Sequence, residues 1–249
     1  MSEQAPPALQ LRGVHVEYGL KPVLQGLDLS VRPAELYALL GENGTGKTTT
    51  LNVACGLLRP DQGSAHIFGH DIFAVDAGAE ARRALAFLPD EPLLYATLSA
   101  MEYLEFVGAL WSMDAALVRE RSRQLISDMR LEAAGEQWLG TYSRGMRQKI
   151  ALAGALLHEP RMIVMDEPFT GLDPVSSKQI RQLVERVVAD GTSILMSTHQ
   201  LDTAGRLADR IGILAQGRLV AEGSATEIQA LAADGGDLET AFLALVAKS

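Results

Sequence analysis

The residues with the clearest chemical meaning lie in the segment LLGENGTGKTTT, at positions 39–50. The segment follows an apolar run, begins a stretch with helical spacing, and fits the pattern G-x-x-x-x-G-K-[ST] through Gly41, Gly46, Lys47 and Thr48. Glycines here let backbone N–H groups turn toward a phosphate, and a helix N-terminus adds positive partial charge. The lysine reaches the β- and γ-phosphates, and the threonine hydroxyl can bind Mg²⁺. The remaining predicted nucleotide-binding residues of this segment are Asn43, Gly44, Thr45 and Thr49.

The tripeptide Asp-Glu-Pro occurs twice, in FLPDEPLLY at 87–95 and in IVMDEPFTG at 163–171. The second copy ends an apolar strand pattern. In a phosphate-binding fold, a strand beside the phosphate strand brings an aspartate to Mg²⁺, and Asp166 fits this role. Glu167 follows at the strand end, where its carboxylate could act as a general base toward an attacking water. Taken alone, the pair could also be two solvated charges that begin a turn.

Strand and helix patterns must position these residues. Strand patterns cover 8–18, 23–31, 35–40, 64–69, 84–88, 161–166, 192–197 and a hairpin across Gln216-Gly217. Helical spacing covers 47–58, two segments within 99–131, and 144–157, 175–189, 201–208 and 225–248. Buried strands that alternate with helices favour a parallel α/β sheet. Residues 90–160 show no strand pattern, which predicts a helical subdomain inserted between two sheet-forming segments.

Composition narrows the class of protein. A chain of 249 residues suits one large domain, or a domain with a subdomain. The net charge is −9 and no segment concentrates Lys and Arg, so we expect no nucleic-acid partner. The single cysteine excludes an internal disulfide framework. Without an apolar signal segment, or an apolar run of about 18 residues, the chain is expected to be soluble and intracellular.

Three further segments follow downstream of the phosphate loop. TYSRGMRQKIALAGALLHEP, at 141–160, places Ser143 at the start of an amphipathic helix, where its hydroxyl can cap the helix. FTGLDP, at 169–174, comes directly after the second Asp-Glu-Pro. His199 follows the strand pattern LMST. In this order, and over nearly the whole chain, the motifs resemble those of the ATP-binding subunits of ABC transporters, with Ser143 and Gly145 in a variant of the Leu-Ser-Gly-Gly-Gln signature.

The resemblance implies a particular fold. It is an α/β P-loop NTPase core with a mainly parallel sheet, an N-terminal antiparallel β subdomain and an inserted helical subdomain. We place the ATP-binding core at 1–89 and 161–230, the helical subdomain carrying the signature at 90–160, and a C-terminal helical tail at 231–249. Tyr18 stands where the family has an aromatic residue that stacks on adenine.

The resemblance also implies an ATPase that uses ATP and Mg²⁺. Its catalytic residues would be Asp166, Glu167 and the switch histidine His199, and its metal contacts Thr48, Asp166 and Asp90. Two subunits would bind head to tail, so that Ser143 and Gly145 of one cover the γ-phosphate held by the other.

The expected partners are a transmembrane permease subunit and a second ATPase subunit, either the same chain or a related one. The chain would then lie on the cytoplasmic face of the membrane, bound through the permease. A soluble ABC-type ATPase without a transport role is the alternative. A GTPase or small-molecule kinase would leave the signature and His199 unexplained.

The chain departs from the family pattern at several positions. Asp90 stands where the family has Gln after Leu-Pro, and its carboxylate could contact Mg²⁺ directly, contact it through water, or act as a solvated hinge residue. Arg144 replaces the first signature glycine and Met146 the glutamine, a variant that resembles exporter-type subunits. Arg144 could lie near the partner's nucleotide or face solvent. The apolar residues 93–95 could dock a permease helix or pack inside the subdomain.

Overall fold

The computed structural model describes residues 6–231 and 236–247. Ten strands lie within these ranges: β1 Leu9–Tyr18, β2 Lys21–Val31, β3 Leu36–Leu40, β4 Gln62–Ile67, β5 His70–Asp71, β6 Leu85–Leu88, β7 Met162–Asp166, β8 Ser193–Thr198, β9 Arg210–Ala215 and β10 Arg218–Gly223. Nine α-helices accompany them: α1 Lys47–Ala54, α2 Ala77–Arg83, α3 Ala100–Leu110, α4 Ala115–Asp128, α5 Arg144–Leu156, α6 Pro174–Ala189, α7 Leu201–Leu207, α8 Ala225–Ala230 and α9 Leu238–Val246.

The strands form two sheets. The larger has six strands in the order β10-β9-β3-β8-β7-β6, and every neighbouring pair in it is parallel except β9 and β10. The smaller sheet, β2-β1-β4-β5, is antiparallel and contains the N-terminal strands. This arrangement confirms the predicted α/β class with a mainly parallel sheet and an antiparallel N-terminal β unit.

Strand β3 shows why the central strands read as continuous apolar runs. Leu36, Ala38 and Leu40 belong to one buried cluster, which includes the helices between β6 and β7. Tyr37 and Leu39 belong to a second cluster, on the side of the antiparallel sheet. Because successive side chains point to opposite faces, a strand covered on both faces needs apolar residues at every position. The phosphate loop therefore follows a strand that is fixed from both sides.

Helices α3, α4 and α5 form the helical segment between β6 and β7, as the sequence predicted. Helix α3 begins with a capping box, in which the Ser99 side chain accepts from the Glu102 backbone N–H and the Glu102 carboxylate accepts from the Ser99 N–H. Gly108 of α3 lies so close to Val118 of α4 that a β-carbon there would stand 2.8 Å from Cγ1 of Val118. This close approach packs α3 against α4.

Several predicted boundaries were wrong. The helix predicted to reach residue 58 ends at Ala54, and Gly56 beyond it has a φ of 72° that ends the helical path. The structure adds α2 and the short β5, which the sequence patterns did not predict. The helical segment predicted over 225–248 contains two helices, and residues 232–235 and 248 of it lie outside the described ranges, as do residues 1–5. Among the described helices, none has the length and apolarity to cross a membrane.

Candidate nucleotide-binding site

The loop between β3 and α1 needs glycine at two positions. Gly46 has a φ of 107°, and a β-carbon there would stand 2.8 Å from Cδ2 of Leu24. A β-carbon on Gly41 would stand 2.7 Å from the carbonyl oxygen of Leu214. Both contacts involve neighbouring strands, so the loop follows its path only because side chains are absent. This packing holds the loop against the sheet at the start of α1.

Lys47 is the cationic group of the site. Its Nζ donates to the carbonyl oxygens of Gly41 at 2.7 Å and Glu42 at 3.1 Å, and lies 3.7 Å from Oε1 of Glu167. The side chain is only 7% exposed. It faces a cavity of about 390 Å³. The residues lining this cavity are Val23, Asn43, Gly44, Gly46, Lys47, Thr48, Thr49, Asp90, Asp166 and Glu167.

Asp166 is held by hydroxyl groups from two neighbouring elements. The Thr48 hydroxyl donates to Oδ2 of Asp166 at 2.9 Å, and the Ser197 hydroxyl donates to Oδ1 at 2.5 Å. Ser197 lies directly opposite Asp166 in the parallel pairing of β7 with β8. Carboxylate and hydroxyl oxygens are ligands that suit Mg²⁺. Sequence reasoning missed Ser197, although its place at the end of the neighbouring strand pattern was a usable signal.

Glu167 sits at the turn that follows β7. Its φ is 45°, in the left-handed region, and its backbone N–H donates to the Ser197 hydroxyl at 3.1 Å. Its Oε2 lies 2.9 Å from Nδ1 of His199 and accepts from the Thr170 hydroxyl at 3.1 Å. The structure thus brings His199 into contact with Glu167, and Glu167 in turn lines the cavity. Thr170 was also missed, because nothing in its sequence pattern distinguishes it from a turn residue.

Asp90 and Arg144 form an ion pair that the sequence did not predict. Nη2 of Arg144 lies 3.1 Å from Oδ1 of Asp90, with side chains 42% and 43% exposed, respectively. Burial raises the pKa of the Asp90 carboxyl, while the Arg144 guanidinium acts to lower it. The charges of Asp166 and Glu167 add to the rise of that pKa. Arg144 therefore contacts a residue of its own chain, in addition to facing solvent in part.

Within the phosphate loop, the predicted contacts Gly41 and Thr45 do not line the cavity. Three predicted nucleotide contacts elsewhere in the chain also lie outside the cavity lining. Ser143 caps α5 as expected, accepting from the Met146 N–H at 3.3 Å. Gly145 is buried against α6, where a β-carbon would stand 2.8 Å from Cβ of Ser176. Tyr18 ends β1 with its side chain 55% exposed. None of the three contributes to the lining of the cavity in its own chain.

A second cavity, of about 360 Å³, lies between the sheet edge and the helical segment. On its rim Leu93 is 95% exposed, whereas Leu94 packs against the core. The ring of Trp111 stacks on that of His158, with centroids 3.9 Å apart. The lining is mainly apolar and contains Leu85, Ala86, Phe87, Leu88, Pro89, Pro92, Leu93, Tyr103, Val107, Trp111, Ala151, Gly154, Ala155 and His158. This lining makes the cavity an open apolar groove.

Comparisons with known proteins identify the family to which the chain belongs. The daunorubicin/doxorubicin resistance ATP-binding protein DrrA of Streptomyces peucetius is 37% identical over 229 residues, which are 92% of this chain and 69% of that protein. The Nod factor export ATP-binding protein I of Ralstonia nicotianae is 34% identical over 89% of this chain and 68% of its own. A solved ATP-binding subunit of an ABC transporter superposes with a TM-score of 0.87 at 32% identity, covering 96% of this chain and 99% of that one. Residues 24–170 match the ABC transporter family model, and the chain therefore belongs to the family of ABC transporter ATP-binding subunits.

Proposed function

We propose that this chain binds and hydrolyses ATP to energise export across a membrane. The observation that carries the proposal is the convergence of Lys47, Asp166 and Glu167 on one cavity, at the end of the phosphate loop. Lys47 supplies positive charge for the β- and γ-phosphates. The N-terminus of α1 adds partial positive charge at the same place. The cavity is thus suited to a triphosphate held against a general base.

The oxygen ligands fit Mg²⁺. Thr48 and Asp166 would hold the ion, and Asp90, which lines the same cavity, would contribute a further carboxylate. Nowhere among the described residues do three or more His, Cys, Asp or Glu side chains gather as a metal cage. Mg²⁺ commonly binds through one or two carboxylates plus substrate phosphates, so such a cage is not needed. When bound, the ion neutralises charge that develops on the phosphate oxygens.

Glu167 is the proposed general base. Its carboxylate would accept a proton from the water that attacks the γ-phosphate. Thr170 and His199 fix the position of this carboxylate through hydrogen bonds to Oε2. Because the side chain is only 13% exposed, few solvent molecules compete for its oxygens. His199 is half exposed and can reach outward, toward a γ-phosphate or a second subunit.

We propose that Ser143 and Gly145 serve the nucleotide of a second ATPase subunit. They lie outside the cavity lining of their own chain, which is expected if they act in trans. The α5 N-terminus and the Ser143 hydroxyl can bind a phosphate presented by that subunit. Tyr18, exposed at the end of β1, is available to stack on adenine. Whether the second subunit is the same chain or a related one does not alter these roles.

A transmembrane permease is the proposed membrane partner, and its docking site is the apolar groove beside Leu93. The chain would lie at the cytoplasmic face of the membrane through this contact. In this proposal the groove has two walls, the helical subdomain at 90–160 and the core at 1–89 and 161–230. Residues 231–249 are a C-terminal tail. Export is favoured because the relatives are named for drug resistance and Nod factor export. The same names disfavour an ABC-type ATPase without a transport role.

Nucleotide binding is tested with Lys47→Ala. Removing the ammonium should weaken ATP binding at least about tenfold, since a charged hydrogen bond contributes about 1.5–3 kcal/mol. A fluorescent ATP analogue titrated into the purified chain measures the dissociation constant. Arg59→Ala, which removes a surface cation that stacks on Phe73, is the matched control. Equal affinity for wild type and Lys47→Ala would refute the phosphate-loop assignment.

The transport role is tested by co-purification with membrane protein. The tagged chain should retain a membrane-spanning partner, and Leu93→Asp should release it while leaving nucleotide binding intact. Val75→Asp, at another side chain that is 88% exposed, is the control. Finding no membrane protein with the tagged wild type, under conditions where ATP is hydrolysed, would favour the soluble ATPase instead.

A further inference from the structure

Arg144 connects three segments of one chain. It is the first residue of α5, and its Nη2 lies 3.1 Å from Oδ1 of Asp90 in the loop after β6. Its guanidinium also covers Gly171. A β-carbon on Gly171 would stand 3.1 Å from each of Cζ, Nε and Nη1 of Arg144, so the guanidinium plane faces the glycine. The planar group therefore stacks on the turn after β7 while one nitrogen reaches Asp90.

The charges around the cavity explain why such a contact would be useful. Asp90, Asp166 and Glu167 all line it, and Lys47 is the only cation among the lining residues that the structure describes. Three carboxylates and one ammonium give the lining a formal charge of −2, which repels a polyanion. A guanidinium on Asp90 compensates one of these carboxylates from outside the lining. Asp90 and Arg144 are also two of the positions where the chain departs from the family pattern.

We propose that Arg144 is a positioning residue for the nucleotide site, which acts through Asp90. It neutralises this carboxylate and holds it toward α5, so that ATP can enter a cavity containing an acidic residue in place of Gln. The inference rests on the proposed ATP-binding function. It predicts that Arg144 matters for ATP affinity only while residue 90 is an acid.

A double-mutant cycle tests this dependence. The purified full-length chain and the variants Arg144→Gln, Asp90→Asn and the double variant are titrated with a fluorescent ATP analogue, first in EDTA and then with Mg²⁺. In the wild-type background, Arg144→Gln should raise the dissociation constant for the ATP analogue about three- to fivefold at low salt. This is the size expected when an unpaired Asp90 carboxylate lies about 5 Å from a phosphate charge in water. In the Asp90→Asn background the same change should have less than about a 1.5-fold effect.

Two further variants distinguish the effect of the positive charge at residue 144 from the effect of losing any exposed ion pair. Arg144→Lys keeps the positive charge and should recover most of the affinity, although it loses the planar contact with Gly171. The exposed pair Arg119–Glu105, whose atoms lie 3.0 Å apart in the helical segment, serves as the control. Arg119→Gln should leave the affinity unchanged. The thermal midpoint of every variant should stay near that of wild type, because exposed ion pairs contribute little to stability.

The outcomes separate this inference from the proposed function. If wild type binds ATP and Arg144→Gln weakens binding equally in both backgrounds, Arg144 acts directly on the nucleotide and the inference is wrong. It is equally wrong if Arg144→Gln has no effect in the wild-type background. If wild type does not bind ATP, the proposed function fails and the inference with it. A loss of affinity restricted to the background with Asp90 supports both.

Discussion

Replacing Glu167 with Gln separates the side chain's role as a general base in ATP hydrolysis from its effect on ATP affinity. Gln has nearly the same shape, and its amide oxygen can still accept from Thr170 and lie against His199. It cannot accept the proton of an attacking water. We therefore expect the rate of ATP hydrolysis to fall about 10²–10⁴-fold, the usual contribution of a general base.

The same substitution should strengthen ATP binding. Oε1 of Glu167 lies 3.7 Å from Nζ of Lys47, so the carboxylate competes with the phosphates for this ammonium. The Coulomb energy of two unit charges at 3.7 Å is about 1 kcal/mol at a dielectric constant of about 80, and about 4.5 kcal/mol at about 20. Even the lower value corresponds to about a fivefold smaller dissociation constant.

Two assays on one preparation measure both effects. Phosphate release under steady-state conditions gives the turnover, and titration with a fluorescent ATP analogue gives the affinity. Size-exclusion chromatography with ATP should show Glu167→Gln as a stable dimer, because bound nucleotide persists. Glu185→Gln, on the exposed side of α6, is the control and should change none of these. Normal hydrolysis by Glu167→Gln would refute the assignment of the base, whatever happens to the affinity.

Three more substitutions probe other parts of the chain. Asp90→Gln should keep or raise steady-state ATP hydrolysis, since it restores the family residue; a collapse of hydrolysis with intact ATP binding would show that the carboxylate is required. Gly108→Ala should lower the free energy of unfolding by about 1–3 kcal/mol through overpacking against Val118, and adding Val118→Ala should restore much of it in thermal melts. Burial lowers the pKa of His158, so the unfolded state takes up its proton at higher pH than the native state does. The thermal midpoint should therefore fall as pH drops through about 6.5, and His158→Gln, which removes the titrating ring, should flatten this dependence.

Local patterns were enough to predict much of the fold. The phosphate loop, the strand ending at Asp166 and the helix capped by Ser143 each depend on residues close in sequence. Apolar periodicity and capping chemistry act over a few residues, so a single sequence reveals them. Helix α2 escaped because its sequence, AGAEARR, carries no apolar stripe. Its alanines, glutamate and arginines favour a helix, but without an apolar stripe seven residues give no periodic pattern to detect.

The long-range contacts that position the site residues could not be predicted as well from the sequence. Ser197 and Asp166 are 31 residues apart, and only the pairing of β7 with β8 brings them together. Arg144 and Asp90 are 54 residues apart, on segments with no shared periodic pattern. The fold class makes the order of the strands predictable, and the position of Ser197 beside Asp166 follows from that order. The ion pair could not be predicted, because it depends on how the helical segment sits against the loop after β6.

The two copies of Asp-Glu-Pro consequently differ in physical setting. Asp166 is 6% exposed and held by two hydroxyls at the end of a central strand, so its geometry is fixed by the sheet. Asp90 is about half exposed, and its partner is a guanidinium on the first turn of α5. A carboxylate fixed by the sheet suits a metal ligand that must stay in place during hydrolysis. The Asp90 carboxylate is held instead by an exposed ion pair, so its position in the cavity depends on Arg144 at the start of α5.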